Sequence, residues 1–116
     1  MELLELATPH VAGGRSSGAR VACRTAAATG AVAVLCLAFP LRPPQRRPGA
    51  VAKDRTPELE AVEVPILVVQ GERDPFGTPA AAPGREVVAV PGTHALTTDV
   101  GAVAAAVAAW LPRVLA

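Results

Sequence analysis

Gly14-Arg15-Ser16-Ser17-Gly18 constrains the fold of this chain more than any other stretch. It reads GxSxG, and it lies between a short apolar run, Val11 to Gly14, and an alanine-rich pattern of helical spacing, Ser17 to Thr29. A serine set in this way sits on a sharp, strained strand-to-helix turn with its hydroxyl, here that of Ser16, exposed at the tip. Glycine is expected two residues to either side, where the turn brings neighbouring backbone too close for a side chain.

The remaining segments continue the alternation that this turn begins. Gly30 ends the helix, Ala31 to Phe39 is a continuous apolar run of strand length, and Pro40 stops it. A strand without polar alternation fits one covered on both faces, as parallel sheets require. Residues 40–64 are rich in proline and arginine (Arg42, Pro43, Pro44, Arg46, Arg47, Pro48) and are expected to form a solvated loop or small lid. Within them a short helix is expected from Pro57 to Val62, capped by Thr56 with Pro57 at its first position. Pro65 to Gln70 reads as a buried strand, Gly71 to Pro83 as a long turn region and Glu86 to Val90 as another strand. Thr97 to Leu115 reads as a closing helix capped near Thr98 or Asp99, with Val103, Val107, Trp110, Leu111 and Val114 on one apolar face. On the first helix Val21, Ala22, Thr25 and Ala26 offer a small-residue face for tight packing on a sheet. The order predicts an α/β fold, a small open, mostly parallel sheet with helices on both faces. With 116 residues it is one domain at most.

Charge and aromatic content narrow the function classes. A net charge of +1 and an aromatic fraction of 3% provide neither an electrostatic footprint nor stacking platforms, so no nucleic-acid partner is expected. The longest apolar run, Ala31 to Pro40, is half the about 20 residues that a membrane span needs, so no membrane partner is expected either. Glu2 and Glu5 stand where a secretory leader would carry basic residues, which points to a cytoplasmic location. Cys23 and Cys36 lack metal-ligand spacing and read as two buried reduced thiols. A small-molecule substrate, without metal or cofactor, is the expectation that remains.

Two more residues carry chemistry. Asp74 closes the run Ile66 to Asp74, and His94 follows Val87-Val88-Ala89-Val90 in a loop. Both fall just past a predicted strand, where open parallel sheets place their ligands. Ser16 and Ser17 are the only serines, and the other histidine, His10, precedes the turn, so the order of candidates is Ser16, Asp74, His94. Structural readings stand beside these. Ser16 can cap a helix, Asp74 before Pro75 can open a turn, and His94 can be a solvated loop residue, with Glu72 and Arg73 facing solvent. Gly13 to Gly18 also resembles the glycine-rich turn of short-chain dehydrogenases, yet Arg20 stands where the third glycine belongs and the chain has no tyrosine.

Taken together, Ala12 to Arg20, Leu37 to Leu41, Val69 to Gly77 and Gly92 to Leu96 resemble α/β-hydrolases of the dienelactone-hydrolase-like kind, in particular a small bacterial branch. The resemblance covers nearly the whole chain. It implies a serine hydrolase that cleaves an ester, thioester or lactone through an acyl-enzyme. Ser16 would be the nucleophile, His94 the general base and later acid, Asp74 the carboxylate that fixes the imidazole tautomer, and the Ser17 amide one oxyanion donor. The resemblance further implies that residues 1–116 form a single, partial domain equivalent to the C-terminal half of that fold. The loop with the second oxyanion donor would then be missing. The first strand would expose an edge, open to a second copy of the chain or to a missing N-terminal half. A non-catalytic fragment that binds a partner across that edge is the alternative.

Overall fold

The computed structural model describes residues 9–44, 49 and 53–116. Glu2 and Glu5, and Arg46, Arg47 and Pro48 of the expected lid, lie outside the described residues. Four strands, β1 (Val11–Arg15), β2 (Ala33–Leu37), β3 (Ile66–Gly71) and β4 (Arg85–Val90), form one sheet in the order β1-β2-β3-β4. Every pairing is parallel, so the expected "mostly parallel" sheet is wholly so. Three helices connect and cover it: α1 (Ser17–Thr29), α2 (Thr56–Glu60) and α3 (Val100–Leu115). Among the described strands β1 pairs with β2 alone and β4 with β3 alone, and Arg85 at the start of β4 makes an isolated antiparallel bridge to Ala82. No described helix is long and apolar enough to cross a membrane.

Burial on both faces accounts for the unbroken apolar strands. All six residues of β3 are buried. Ile66 and Val68 point to a cluster with Ala19, Ala22, Cys23, Ala26, Phe39 and Leu59, the side of α1 and α2. Leu67 and Val69 point the other way, to Trp110 and the α3 residues Val103, Val107, Leu111 and Val114. The helices therefore lie on opposite faces, as expected, and the apolar face read for α3 is the one that packs.

Several local readings need correction. The buried stripe of α1 is Ala19, Ala22, Cys23 and Ala26, not one that includes Val21 and Thr25. Val21 is half exposed, and the Thr25 hydroxyl donates to the Val21 carbonyl instead. An i, i+3, i+4, i+7 stripe starting at Ala19 places those two on its outer side. α2 is shorter than expected and is not capped by the Thr56 side chain: Thr56 lies within it, and its N–H and hydroxyl donate to Asp54 Oδ1 at 2.8 and 2.6 Å. Phe39, Pro40 and Leu41 are buried, so the start of the 40–64 segment enters the core rather than the solvent. β2 is also shorter than its apolar run, because Ala38 turns to φ 55°. α3 begins at Val100, and of the two caps considered it uses Asp99, whose Oδ1 accepts from the Ala102 N–H at 2.9 Å. Gly30, at φ 73°, ends α1 with the Ala31 N–H turned back to the Ala26 carbonyl, a left-handed step that glycine takes without a Cβ penalty. Cys23 and Cys36 are both buried with free thiols, and their sulfurs lie 3.6 Å apart. This contact, together with burial, pushes the Cys36 thiol up.

Candidate active site

The carboxyl ends of the four strands bring their exit loops to one edge of the sheet. The Ser16 N–H donates to the Leu37 carbonyl and the Ala38 N–H to that of Val69, so the ladder runs on past the strand ends. Glu72 and Arg73, both exposed as expected, use their main-chain N–H groups on the Val90 and Gly92 carbonyls. These two bonds tie the loop that follows β3 to the loop that follows β4. Asp74 and His94 thereby share a frame although twenty residues separate them.

Ser16 stands between β1 and α1 at φ 54° and ψ −120°. This is a strained conformation for a residue with a Cβ, and such residues collect at functional sites. Ser16 occupies the cap position of α1 but makes no side-chain cap, which excludes the cap reading. Its hydroxyl meets His94 Nε2 at 2.8 Å instead. Only one of the two turn glycines is sterically required. A Cβ on Gly14 would stand 2.7 Å from the Ala19 nitrogen and closer still to the Gly18 carbonyl group, whereas one on Gly18 meets no described atom within 4 Å. Ser17 opens α1, so its N–H belongs to the first turn, where intrahelical acceptors are absent.

His94 completes the link. Its Nδ1 lies 2.8 Å from Asp74 Oδ2. The carboxylate requires a proton on Nδ1, which leaves Nε2 as the acceptor for the Ser16 hydroxyl. The Asp74 side chain is fully buried and that of His94 is 24% exposed. Burial of a carboxylate is tolerated when its oxygens are bonded, and here Oδ1 accepts the Phe76 N–H at 2.8 Å while Oδ2 faces the imidazole. The Phe76 ring packs on the imidazole with centroids 4.3 Å apart. Gly71 lets the β4 exit loop come this close: a Cβ there would lie 2.6 Å from the Gly92 oxygen and nearer still to that of Thr93.

Three contributors were not read from the sequence. Gln70 is fully buried; its Oε1 accepts the Phe39 N–H at 3.0 Å, and its Nε2 donates to the Phe39 and Gly77 carbonyls at 2.8 Å each. It clamps the Asp74 turn to the exit of β2. A lone glutamine directly after the apolar run Ile66 to Val69, still within the strand, was its signal, since a buried amide must find partners. Phe76, one of only two phenylalanines, follows the aspartate by two residues. Arg20 forms a bidentate pair with Glu58, at 3.0 and 2.7 Å, which joins α1 to α2. Among the described residues no three His, Cys, Asp or Glu side chains gather as a metal site.

Comparison with known proteins agrees with the architecture. A family model described as an alpha/beta hydrolase domain matches residues 1–97. Among solved structures, a protein assigned to the alpha/beta hydrolase superfamily from Xanthomonas campestris pv. campestris is 26% identical, with a TM-score of 0.61 over 97% of this chain and 66% of its own. A thioesterase domain from the curacin biosynthetic pathway, 16% identical, superimposes with a TM-score of 0.59 over 87% of this chain and 65% of that one, and shows the fold alone. The chain thus spans about two thirds of the length of these structures. No curated protein matches it. With the strand order, the strand-to-helix turn and a family match over most of its length, the chain belongs to the alpha/beta-hydrolase domain family.

Proposed function

We propose that this chain carries the nucleophilic machinery of a serine hydrolase for a small ester, thioester or lactone, of the dienelactone-hydrolase-like branch. The observation that supports this reading is the unbroken relay from the Ser16 hydroxyl through His94 to Asp74, with both contacts at 2.8 Å. Ser16 Oγ attacks the acyl carbon while His94 Nε2 takes its proton, and the Asp74 carboxylate stabilises the imidazolium that results. The Ser17 N–H donates to the developing oxyanion. Collapse of the tetrahedral intermediate breaks the bond to the alcohol or thiol, which leaves with the proton from Nε2. Water, deprotonated by the same nitrogen, then releases the acid and regenerates the serine.

The test is covalent labelling with a fluorophosphonate, which forms a phosphorus–oxygen bond to an activated serine and expels fluoride. The 116-residue chain should be labelled, Ser16→Ala should not, and Ser17→Ala should retain labelling because only its amide is used. Asp74→Asn should slow labelling by up to about 10,000-fold, since an amide cannot stabilise the imidazolium. Asp99→Asn, a change at the α3 cap, should leave it unaltered. Equal labelling of Ser16→Ala and the parent would sink the proposal.

A further inference from the structure

Phe76 stands at the meeting point of the Asp74 and His94 side chains, and its contacts with each are of different kinds. Asp74, Pro75, Phe76 and Gly77 form a turn in which the Gly77 N–H donates to the Asp74 carbonyl at 3.0 Å. Pro75 fixes φ at the second position, and Gly77 takes φ 86°, which suits glycine. The direction in which Phe76 leaves the backbone is therefore set by its two neighbours. Its carbonyl accepts the Arg42 N–H at 2.9 Å, and the next carbonyl, that of Gly77, is held by the buried Gln70. The turn is thus anchored at Phe76 and Gly77 by contacts that do not involve His94.

From that position the main chain and the side chain of Phe76 act on different partners. The N–H donates to Asp74 Oδ1 at 2.8 Å and so orients Oδ2 toward His94 Nδ1. The ring lies against the imidazole at a centroid distance of 4.3 Å and an interplanar angle of 32°. The imidazole is held at two atoms, Nδ1 by Asp74 and Nε2 by Ser16. The ring's own freedom is rotation about its Cβ–Cγ bond, and hydrogen bonds yield to small rotations of that kind because their angular dependence is broad. A ring against the face of the imidazole blocks the rotation directly.

We propose that Phe76 is a positioning residue for proton transfer between Ser16 and His94. Its ring fixes the plane of the imidazole, and its N–H fixes the carboxylate oxygen that the imidazole does not use. This rests on the serine hydrolase reading above. Phe76 acts through Asp74 and His94, and no step of the chemistry occurs on it.

Phe76→Leu and Phe76→Tyr of the 116-residue chain provide the test, read in two ways. The first is the NMR position of the His94 carbon-bound ring protons, with His10 as the internal comparison; a facing aromatic ring displaces them. Phe76→Leu should abolish the displacement and Phe76→Tyr should retain it. The second is the fluorophosphonate labelling rate, with the melting temperature measured alongside. Phe76→Leu should slow labelling about two- to tenfold, on the scale of one aromatic ring contact, while Phe76→Tyr stays within about twofold of the parent. If the leucine variant melts well below the parent, Phe76→Met, an unbranched filler, replaces it. Labelling of the leucine or methionine variant at the parental rate overturns the proposal and leaves the nucleophile assignment standing. Unmoved His94 signals overturn it as well. No labelling of the parent removes the hydrolase reading and the positioning role together, and the NMR arm then reports only on the ring contact.

Discussion

Gly14→Ala and Gly18→Ala exchange the same atoms at the two glycines of one motif, and the structure predicts opposite outcomes. An ordinary contact to a Cβ is 3.4 Å or more, and the Ala19 nitrogen, the farthest of the three obstacles, stands 2.7 Å from the Cβ that Gly14→Ala would add, so more than 3.4 − 2.7 = 0.7 Å of movement is needed. The Gly18 carbonyl group is nearer still. All these obstacles are backbone of the first turn of α1, so no side chain can swing aside and the helix start must shift against β1. Overpacking of this kind costs about 3 kcal/mol at the upper end of its usual range. At about 4 °C per kcal/mol for a chain of this size, the melting temperature should fall by about 12 °C. The Ser16 hydroxyl sits between the two displaced elements. A shift of 0.7 Å takes its 2.8 Å contact with His94 to the edge of hydrogen bonding. On the serine hydrolase proposal, labelling by a fluorophosphonate should then slow by about 100-fold, the scale of a small misplacement of reacting groups. The Cβ from Gly18→Ala meets nothing among the described residues and lies in a helix. That variant should gain about 0.4–1 kcal/mol, melt about 2–4 °C higher and label at the parental rate. Thermal melts by circular dichroism and labelling time courses measure both. A Gly14→Ala variant that melts with the parent, or a Gly18→Ala variant that loses as much as Gly14→Ala, would refute the steric account.

Gln70→Leu should cost at least about 3 kcal/mol in urea denaturation, because the Phe39 N–H and the Phe39 and Gly77 carbonyls lose their buried partner at about 1–3 kcal/mol per unsatisfied group. A loss under about 1 kcal/mol would show that these groups find other partners. Glu58 is held below the usual carboxylate range, first by the Arg20 hydrogen bond, so its contribution is present above the unfolded carboxylate pKa and is lost as pH falls through the lower folded value. Both side chains of this pair are about a quarter exposed, so Glu58→Gln should destabilise by no more than about 1 kcal/mol at pH 7. The difference from the parent should close on acidification below the carboxylate range, and a gap that is constant with pH would count against the pair.

Local chemistry was legible in the sequence because it depends on neighbours along the chain. Ser16 between a strand and a helix, Asp74 and His94 just past strand ends, the apolar strands β2 and β3 and a cap at Thr98 or Asp99 follow from spacing and residue type within a few positions. The alternation of those elements was enough for a parallel sheet with helices on both faces. What the sequence left open depends on residues far apart that meet. Gly14 and Gly18 look equivalent in the motif, and only the path of α1 across β1 makes one of them obligatory. Val21 and Thr25 suit a packing face as well as Ala19 and Cys23 do, and the angle at which α1 lies on the sheet selected between them. Gln70 needed Phe39 and Gly77, and Phe76 needed His94, partners 31, 7 and 18 positions away along the chain. Parallel register sets such meetings: Leu37 beside Val69 and Gly71 beside Val90 align the strand ends, and the exit loops then converge where no local pattern could point them. Periodicity reports which face of an element is apolar, and the packing of whole elements decides which side chains share a hydrogen bond.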